Sequence, residues 1–301
     1  MRQLSVVRLP NNPIVRGGML PHFDGDNING PSLISVPDWL PGRLGNYYLY
    51  FAHHAGTYIR LAYADGIEGP WTIHSPGTLR LSDALGCRGH IASPDVHIDE
   101  AKHQIRMYFH GLSIHQRGQY TYVASSDDGL RFIADRRELG PFYFRAARWR
   151  GGWIAMAKGG QLYESADGLS PFHAAATQPF RMSDPEGNAS GDLRHVALHS
   201  RDDGFLVYYT RIGDRPESIL RSRVDVDDVQ RQWRAGLPDF VLGPQEDWEG
   251  ARLPVTASRA GAARGPENAV RDPAIFIEED RVYLLYSVAG ESGIAIAEVR
   301  D

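Results

Sequence analysis

Apolar residues recur along this chain in short, often alternating runs, each closed by Gly, Asp, Asn or Pro. The segment Val270 to Glu298 shows the pattern most plainly. Asp272 to Ile277, Val282 to Val288 and Ile294 to Val299 are β-branched or aromatic, and the turns Glu278–Asp280 and Gly290–Gly293 separate them. Runs of this kind predict an antiparallel meander. The same unit recurs four more times. Gly30–Val36, Asn46–His54 and Tyr58–Ala64 form the first copy. Ser93–Asp99, Gln104–Gly111 and Tyr120–Ser126 form the second. Phe142–Trp149, Gly152–Gly159 and Gln161–Ser165 form the third, and Leu193–Ser200, Phe205–Gly213 and Ser218–Asp225 the fourth.

A phrase of small residues, Asp-Gly, an aliphatic and an aromatic closes three of these units: AYADGIEGPW (Ala62 to Trp71), SSDDGLRF (Ser125 to Phe132) and ESADGLSPF (Glu164 to Phe172). Asp-Gly favours hairpin turns, so it is placed between the third and fourth strands of each unit. The reading is an all-β, five-bladed β-propeller spanning residues 1–301 as a single domain. The chain stops soon after the third strand of blade five, and Leu4–Leu9 alternates well enough to supply the fourth. Ring closure by this N-terminal strand is expected, because it removes two sheet edges at once.

The totals narrow the partners. Net charge is -5 and no Lys/Arg run occurs, which argues against a nucleic-acid surface. The single cysteine, Cys87, excludes an internal disulfide framework. The N-terminus lacks the apolar core of a signal peptide, and no apolar window is long enough to span a membrane. A cytoplasmic protein without membrane partners is the expectation.

The stretches Pro10–Asn29, Gln178–Asp192 and Gly243–Ala269 all precede first strands, so they are expected on one face. First-strand starts and second-strand ends meet at that face. The starts offer Asn29, Asp95, Arg145, Arg194, His195, Arg271 and Asp272; the ends offer His53, His54, His110, Lys158, Arg211 and, just beyond, Glu291. A cationic collection of this kind is either an internal salt-bridge network or a pocket for an anionic ligand, since arginine forks match carboxylate and phosphate.

The motifs SPDVHID, YYLYFAHH and RDPAIF followed by RVYLLYS resemble the five-bladed propeller glycosidases around glycoside hydrolase family 43. The resemblance implies three carboxylates at the mouth: a base at the start of blade one, an orienting Asp in blade two and an acid in blade three. Asp95 matches the second. Gly30 stands where the base belongs and Arg145 about where the acid belongs. The replacements to weigh are Asp24 or Asp26 as base with Glu186 or Glu249 as acid, His54 or His110 as acid, and Asp272 as base.

His53, His54, His90, His97, His110 and His195, with Asp95 or Asp272, are the residues from which a zinc site would be drawn. Strand alternation sends His53 and His54 to opposite faces, and no close-spaced ligand motif occurs. No cofactor is required; the resemblance permits a channel calcium or another divalent ion.

The leading expectation is a carbohydrate-active glycosidase cleaving an acidic or modified sugar. Asp95, His54, His110, Asp272 and Glu291 are its catalytic candidates. Asn29, Arg145, Lys158, Arg194, His195, Arg211 and Arg271 would hold the substrate, with Trp39 or Trp248 stacking on a ring. The alternatives are a non-catalytic propeller binding a sugar or sugar phosphate, and a lyase or isomerase working through His and Arg.

Overall fold

The computed structural model of the protein describes residues 4–180, 193–227 and 232–301, and in it five antiparallel sheets form a ring. Blade one is built from Asn29–Ser35, Tyr47–Ala52, Tyr58–Ala64 and Thr72–Ile73; blade two from Cys87–Asp99, Gln104–Ser113, Gln119–Ser126 and Ile133–Ala134. Arg145–Trp149, Gly152–Met156, Leu162–Ser165 and His173–Ala174 make blade three. Blade four contains Leu193–Arg201, Gly204–Arg211, Ile219–Asp227 and Gln232–Ala235. Arg271–Glu278, Arg281–Val288 and Gly293–Arg300 make blade five, and its fourth strand is Ser5–Arg8. Among the described residues no helix is long and apolar enough to cross a membrane.

The Asp-Gly phrase does the work its composition implies. Asp128 Oδ1 accepts from the amides of Leu130 and Arg131, both at 2.8 Å, while Ser126 Oγ accepts from Gly129 N at 2.9 Å. Asp167 and Ser165 repeat this with Leu169, Ser170 and Gly168. Side chains thereby replace backbone partners that a tight turn leaves unpaired. The aromatic that follows each turn, Trp71, Phe132 or Phe172, is buried.

The turns also join the blades. Tyr50 of blade one donates to Gly129 O at 2.9 Å, and Tyr108 of blade two donates to Gly168 O at 2.8 Å. Each tyrosine is fully buried. One side chain thus supplies apolar area to the interface and satisfies a carbonyl of the next blade.

Ring closure follows the expected register, Ser5 opposite Arg300 through Arg8 opposite Ala297. Asn12 extends it by side chain alone, donating to Ile296 O at 2.8 Å and accepting from Ile296 N at 3.0 Å. Arg8 then clasps the fully buried Glu249 with Nε at 2.8 Å and Nη2 at 2.9 Å. Tyr286 OH and the amides of Gln245 and Glu246 occupy the same carboxylate. Glu249 is therefore a closure residue, which corrects its candidacy as a catalytic acid.

Replacing Arg8 by alanine leaves this buried carboxylate without its cation, and stability is expected to fall by about 3 kcal/mol. Urea denaturation checks this. A change below about 0.5 kcal/mol would show that the N-terminal clasp does not hold the ring.

Candidate functional site at the channel mouth

The mouth is shaped by one device used four times. Where the first strand of a blade begins, it carries one residue more than its partner strand. The ladder steps from Asn29–Ala52 to Ser32–Tyr50, from Ala92–His110 to Asp95–Tyr108, from Leu193–Arg211 to Val196–Tyr209 and from Arg271–Ser287 to Ala274–Leu285. These bulges turn Gly30, Ser93, Arg194 and Asp272 out of the pleat at equivalent positions. Gly30, Ser93 and Asp272 have positive φ and each precedes a proline. Blade three has no bulge and pairs regularly from Arg145 onward.

A bulge leaves carbonyls outside the ladder, and Arg145 serves two of them. It donates to Pro94 O at 2.6 Å and to Pro31 O at 3.2 Å, with Asp95 Oδ1 at 3.6 Å. Asp95 in turn accepts from Ala146 N at 2.7 Å and contacts His97 Nε2 at 3.0 Å. Burial opposes its ionisation, but His97 and Arg145 hold its carboxyl below the usual range.

The other expected arginines are likewise engaged within the protein. Glu217, fully buried, bridges Arg194 Nε and Arg271 Nε, each at 2.8 Å. Arg194 also donates to Gly261 O and Arg259 O, fixing the Gly243–Ala269 stretch over the mouth. Arg271 also meets Glu267 and Glu291. Arg211 pairs with Asp214 at 3.0 Å.

A pocket of about 110 Å³ remains between these elements. Asn29, His54, His110, Lys158, Arg194 and His195 line it, together with Ser93, Gln119, Phe142, Tyr143, Ala92 and Gly261. No carboxylate among the described residues is on its wall. Asp272 and Glu291 stand behind the histidines: Asp272 Oδ1 contacts His195 Nδ1, and Glu291 Oε2 lies 3.7 Å from His54 Nδ1. Asp272 also accepts from Ser287 Oγ at 3.0 Å, and Glu291 from Asn27 and Asn29.

These partners split the imidazoles. The Glu291 carboxylate raises the His54 pKa above its ordinary value. Burial lowers those of His195 and His110. For His195, Asp272 only partly offsets this; for His110, the neighbouring His90, His54 and His195 add to it. Burial and Arg194 also lower Lys158, whose Nζ sits 5.5 Å from the centre of the Phe142 ring. Tyr143 stacks on His195 at 4.4 Å and donates to Arg194 O.

Asn29, Lys158, Arg194, His54, His110 and His195 thus line one pocket, as the chain pattern implies. Asp272 and Glu291 stand behind its histidines, Arg271 faces Glu291, Arg145 and Asp95 pair with each other off the wall, and Arg211 pairs with Asp214 away from it. Trp248 packs against the core between blades four and five, and Trp39 stacks on His103; neither lines the pocket. Asp24 is held by Tyr58 OH at 2.5 Å and by Arg60. Asp26 lies off the pocket wall, and Glu186 falls outside the described residues. Ser93, Gln119 and Tyr143 were not anticipated. Ser93 is the residue whose proline follows it as Pro31 follows Gly30.

A side chain at Gly30 would be crowded by blade two. Its φ is +61°, and a Cβ there would meet Ser93 Cα at 3.2 Å. Among the described residues no three His, Cys, Asp or Glu side chains converge to hold a metal. The histidines therefore do not fit the zinc site drawn from them, and Asp95 faces Arg145 and His97 instead.

With this geometry in view, the fold is that of the five-bladed family-43 glycoside hydrolases. Among solved structures the chain is similar to a thermostable family-43 glycoside hydrolase, with TM-score 0.59 and 14% identity over 91% of this chain and 88% of that one. It is also similar to an alpha-L-arabinofuranosidase from Lactobacillus brevis, with TM-score 0.60 and 12% identity over 95% and 92% of the two chains. No protein-family model matches it. The chain belongs to the family of the uncharacterized protein R118 of Acanthamoeba polyphaga mimivirus, to which it is 37% identical over 99% of its own length and 91% of that protein.

Histidine titration by NMR checks the electrostatics. His54 is expected to titrate above about 6.5, and His110 and His195 below it. Asp272→Asn is expected to lower His195 further. Equal values for His54 and His195 would remove the asymmetry.

Proposed function

We propose that the mouth is the active site of a carbohydrate-active enzyme that hydrolyses an O-glycosyl bond of an acidic or modified sugar. The observation that carries this reading is the pair His54 and His195. Both line one pocket, each is backed by a buried carboxylate, and their environments push their pKa values apart. Opposed shifts of two titratable groups in one site mark an acid and a base.

In this reading His54, charged through Glu291, protonates the leaving oxygen. Neutral His195, held by Asp272 at Nδ1, takes a proton from the attacking water. Asp272 and Glu291 act through the imidazoles, as positioning groups. Lys158 is the wall cation without a carboxylate partner among the described residues, and it receives the acidic or polar substituent. His110 and Asn29 each carry a buried polar atom with no partner, at a cost of about 1–3 kcal/mol apiece. Sugar hydroxyls are suited to relieve such costs. The pocket is small beside the roughly 300–1,000 Å³ of sites that enclose a drug-sized ligand, so it admits one ring-sized group.

One observation favours a second reading, a sugar-binding propeller without turnover: the pocket wall carries no carboxylate. Kinetics on aryl glycosides of uronic acids and other substituted sugars separate the two. Enzyme action predicts a bell-shaped kcat/KM. Its acid limb lies below about 6.5, where His195 gains a proton, and its alkaline limb lies above that, where His54 loses one. His195→Asn is expected to lower kcat about 10²–10⁴-fold and abolish the acid limb. Saturable binding with no turnover at any pH would establish the second reading instead.

A further inference from the structure

The stretch from Gly243 to Ala269 roofs the mouth between blades four and five, and it is pinned to both. On blade four, Ser258 N donates to Asp214 O and Gly213 N to Ser258 Oγ, each at 3.0 Å. Arg194 donates to the carbonyls of Arg259 and Gly261. On blade five, Glu267 N donates to Ala289 O at 3.1 Å, and a Cβ added at Gly290 would meet Ala263 Cβ at 3.0 Å. Gly261, between these two sets of anchors, lines the pocket.

The charges of this roof divide into used and unused. Glu249 is held by Arg8, Asp247 by Arg252 at 2.6 Å and Glu267 by Arg271, and Glu246 lies beside Glu249. Asp214, next to Ser258, pairs with Arg211. Arg259 and Arg264 are exposed, and neither has a carboxylate partner among the described residues. The roof is fixed at Arg259 through its carbonyl, which leaves the guanidinium free. Two anchored backbone positions flanking Gly261 thus each carry an unpaired arginine at the rim. The chain as a whole is at -5, so an anion is drawn here by these local cations and by Lys158 on the wall, not by bulk charge.

We infer that Arg259 and Arg264 form a subsite outside the pocket, and that the substrate is a chain of acidic sugars and not a single one. One ring occupies the pocket, and the carboxylates of the residues that follow meet the two arginines. This subsite rests on the reading of the mouth as the site for an acidic sugar. The pocket of about 110 Å³ admits one ring-sized group, so the rest of a longer chain leaves over the rim. Guanidinium forks match carboxylates with two parallel hydrogen bonds. Because the roof is pinned on both blades, less ordering of its backbone remains to oppose binding. A neutral chain offers these guanidiniums no counter-charge.

Calorimetry of the full chain with galacturonate, trigalacturonate and neutral xylotriose tests the assignment. Trigalacturonate is expected to bind about tenfold tighter than galacturonate and tighter than xylotriose, with a gain that shrinks as salt is raised. Combining Arg259→Ala with Arg264→Ala should bring the acidic trimer to within roughly twofold of the monomer and leave the monomer unchanged. Both side chains are exposed, so the double variant is expected to fold. Arg201→Ala removes an exposed arginine at the opposite end of the blade-four inner strand and should keep the gain. Three results overturn the subsite while leaving the reading of the pocket in place: an acidic trimer no tighter than the monomer, a gain that survives in the double variant, or a gain lost equally in Arg201→Ala. Binding of neither acid removes the reading of the mouth and the subsite with it.

Discussion

The mouth of this propeller depends on one buried carboxylate that pairs with arginines from two blades. Glu217 accepts from Arg194 of blade four and Arg271 of blade five, both at 2.8 Å. Inner strands of a propeller converge, so charges at their starts leave bulk water together. They are tolerated only when paired. The consequence runs around the ring. Arg194 holds the overlying stretch through Gly261, Arg271 holds Glu267 and faces Glu291, and Arg145 satisfies bulge carbonyls of blades one and two. What remains for a ligand is what this network does not use: three imidazoles, one lysine and a few amide and hydroxyl groups.

This division explains why the carboxylates stand where they do. Asp272 shares its backbone position with Gly30 and Ser93, each on a one-residue bulge before a proline. Blade five thus carries an acid at the position where blade one has glycine. That acid is turned to His195, and Glu291 is turned to His54. Carboxylates in the second layer orient imidazoles and set their protonation, so the titrating surface of the pocket is made of histidine.

Much of the fold was legible in the chain. Alternation gave the strands, the Asp-Gly phrase gave the third turn of three blades, and the unpaired edge of blade five called for Ser5–Arg8. The group of residues at the mouth was legible too, because strand direction alone decides which ends meet. Their individual roles were not. Nothing in the order of residues shows that Glu217, between two strands of blade four, bridges arginines from two blades, or that a bulge rather than a regular pleat aims Asp272. Tyr143 stacks on His195 from a segment preceding the regular strand, where periodicity carries no information. Trp248 reads as an aromatic to stack on a sugar ring, yet it packs on the core, because burial of an indole outweighs loop position.

A crystal structure of the protein soaked with a small sugar acid measures the central claim most directly. The account predicts a ligand contacting Lys158, His54, His110 and His195, with no protein carboxylate in hydrogen-bond reach of its anomeric centre. A ligand whose anomeric carbon lies between two protein carboxylates separated by about 5–10 Å would contradict it.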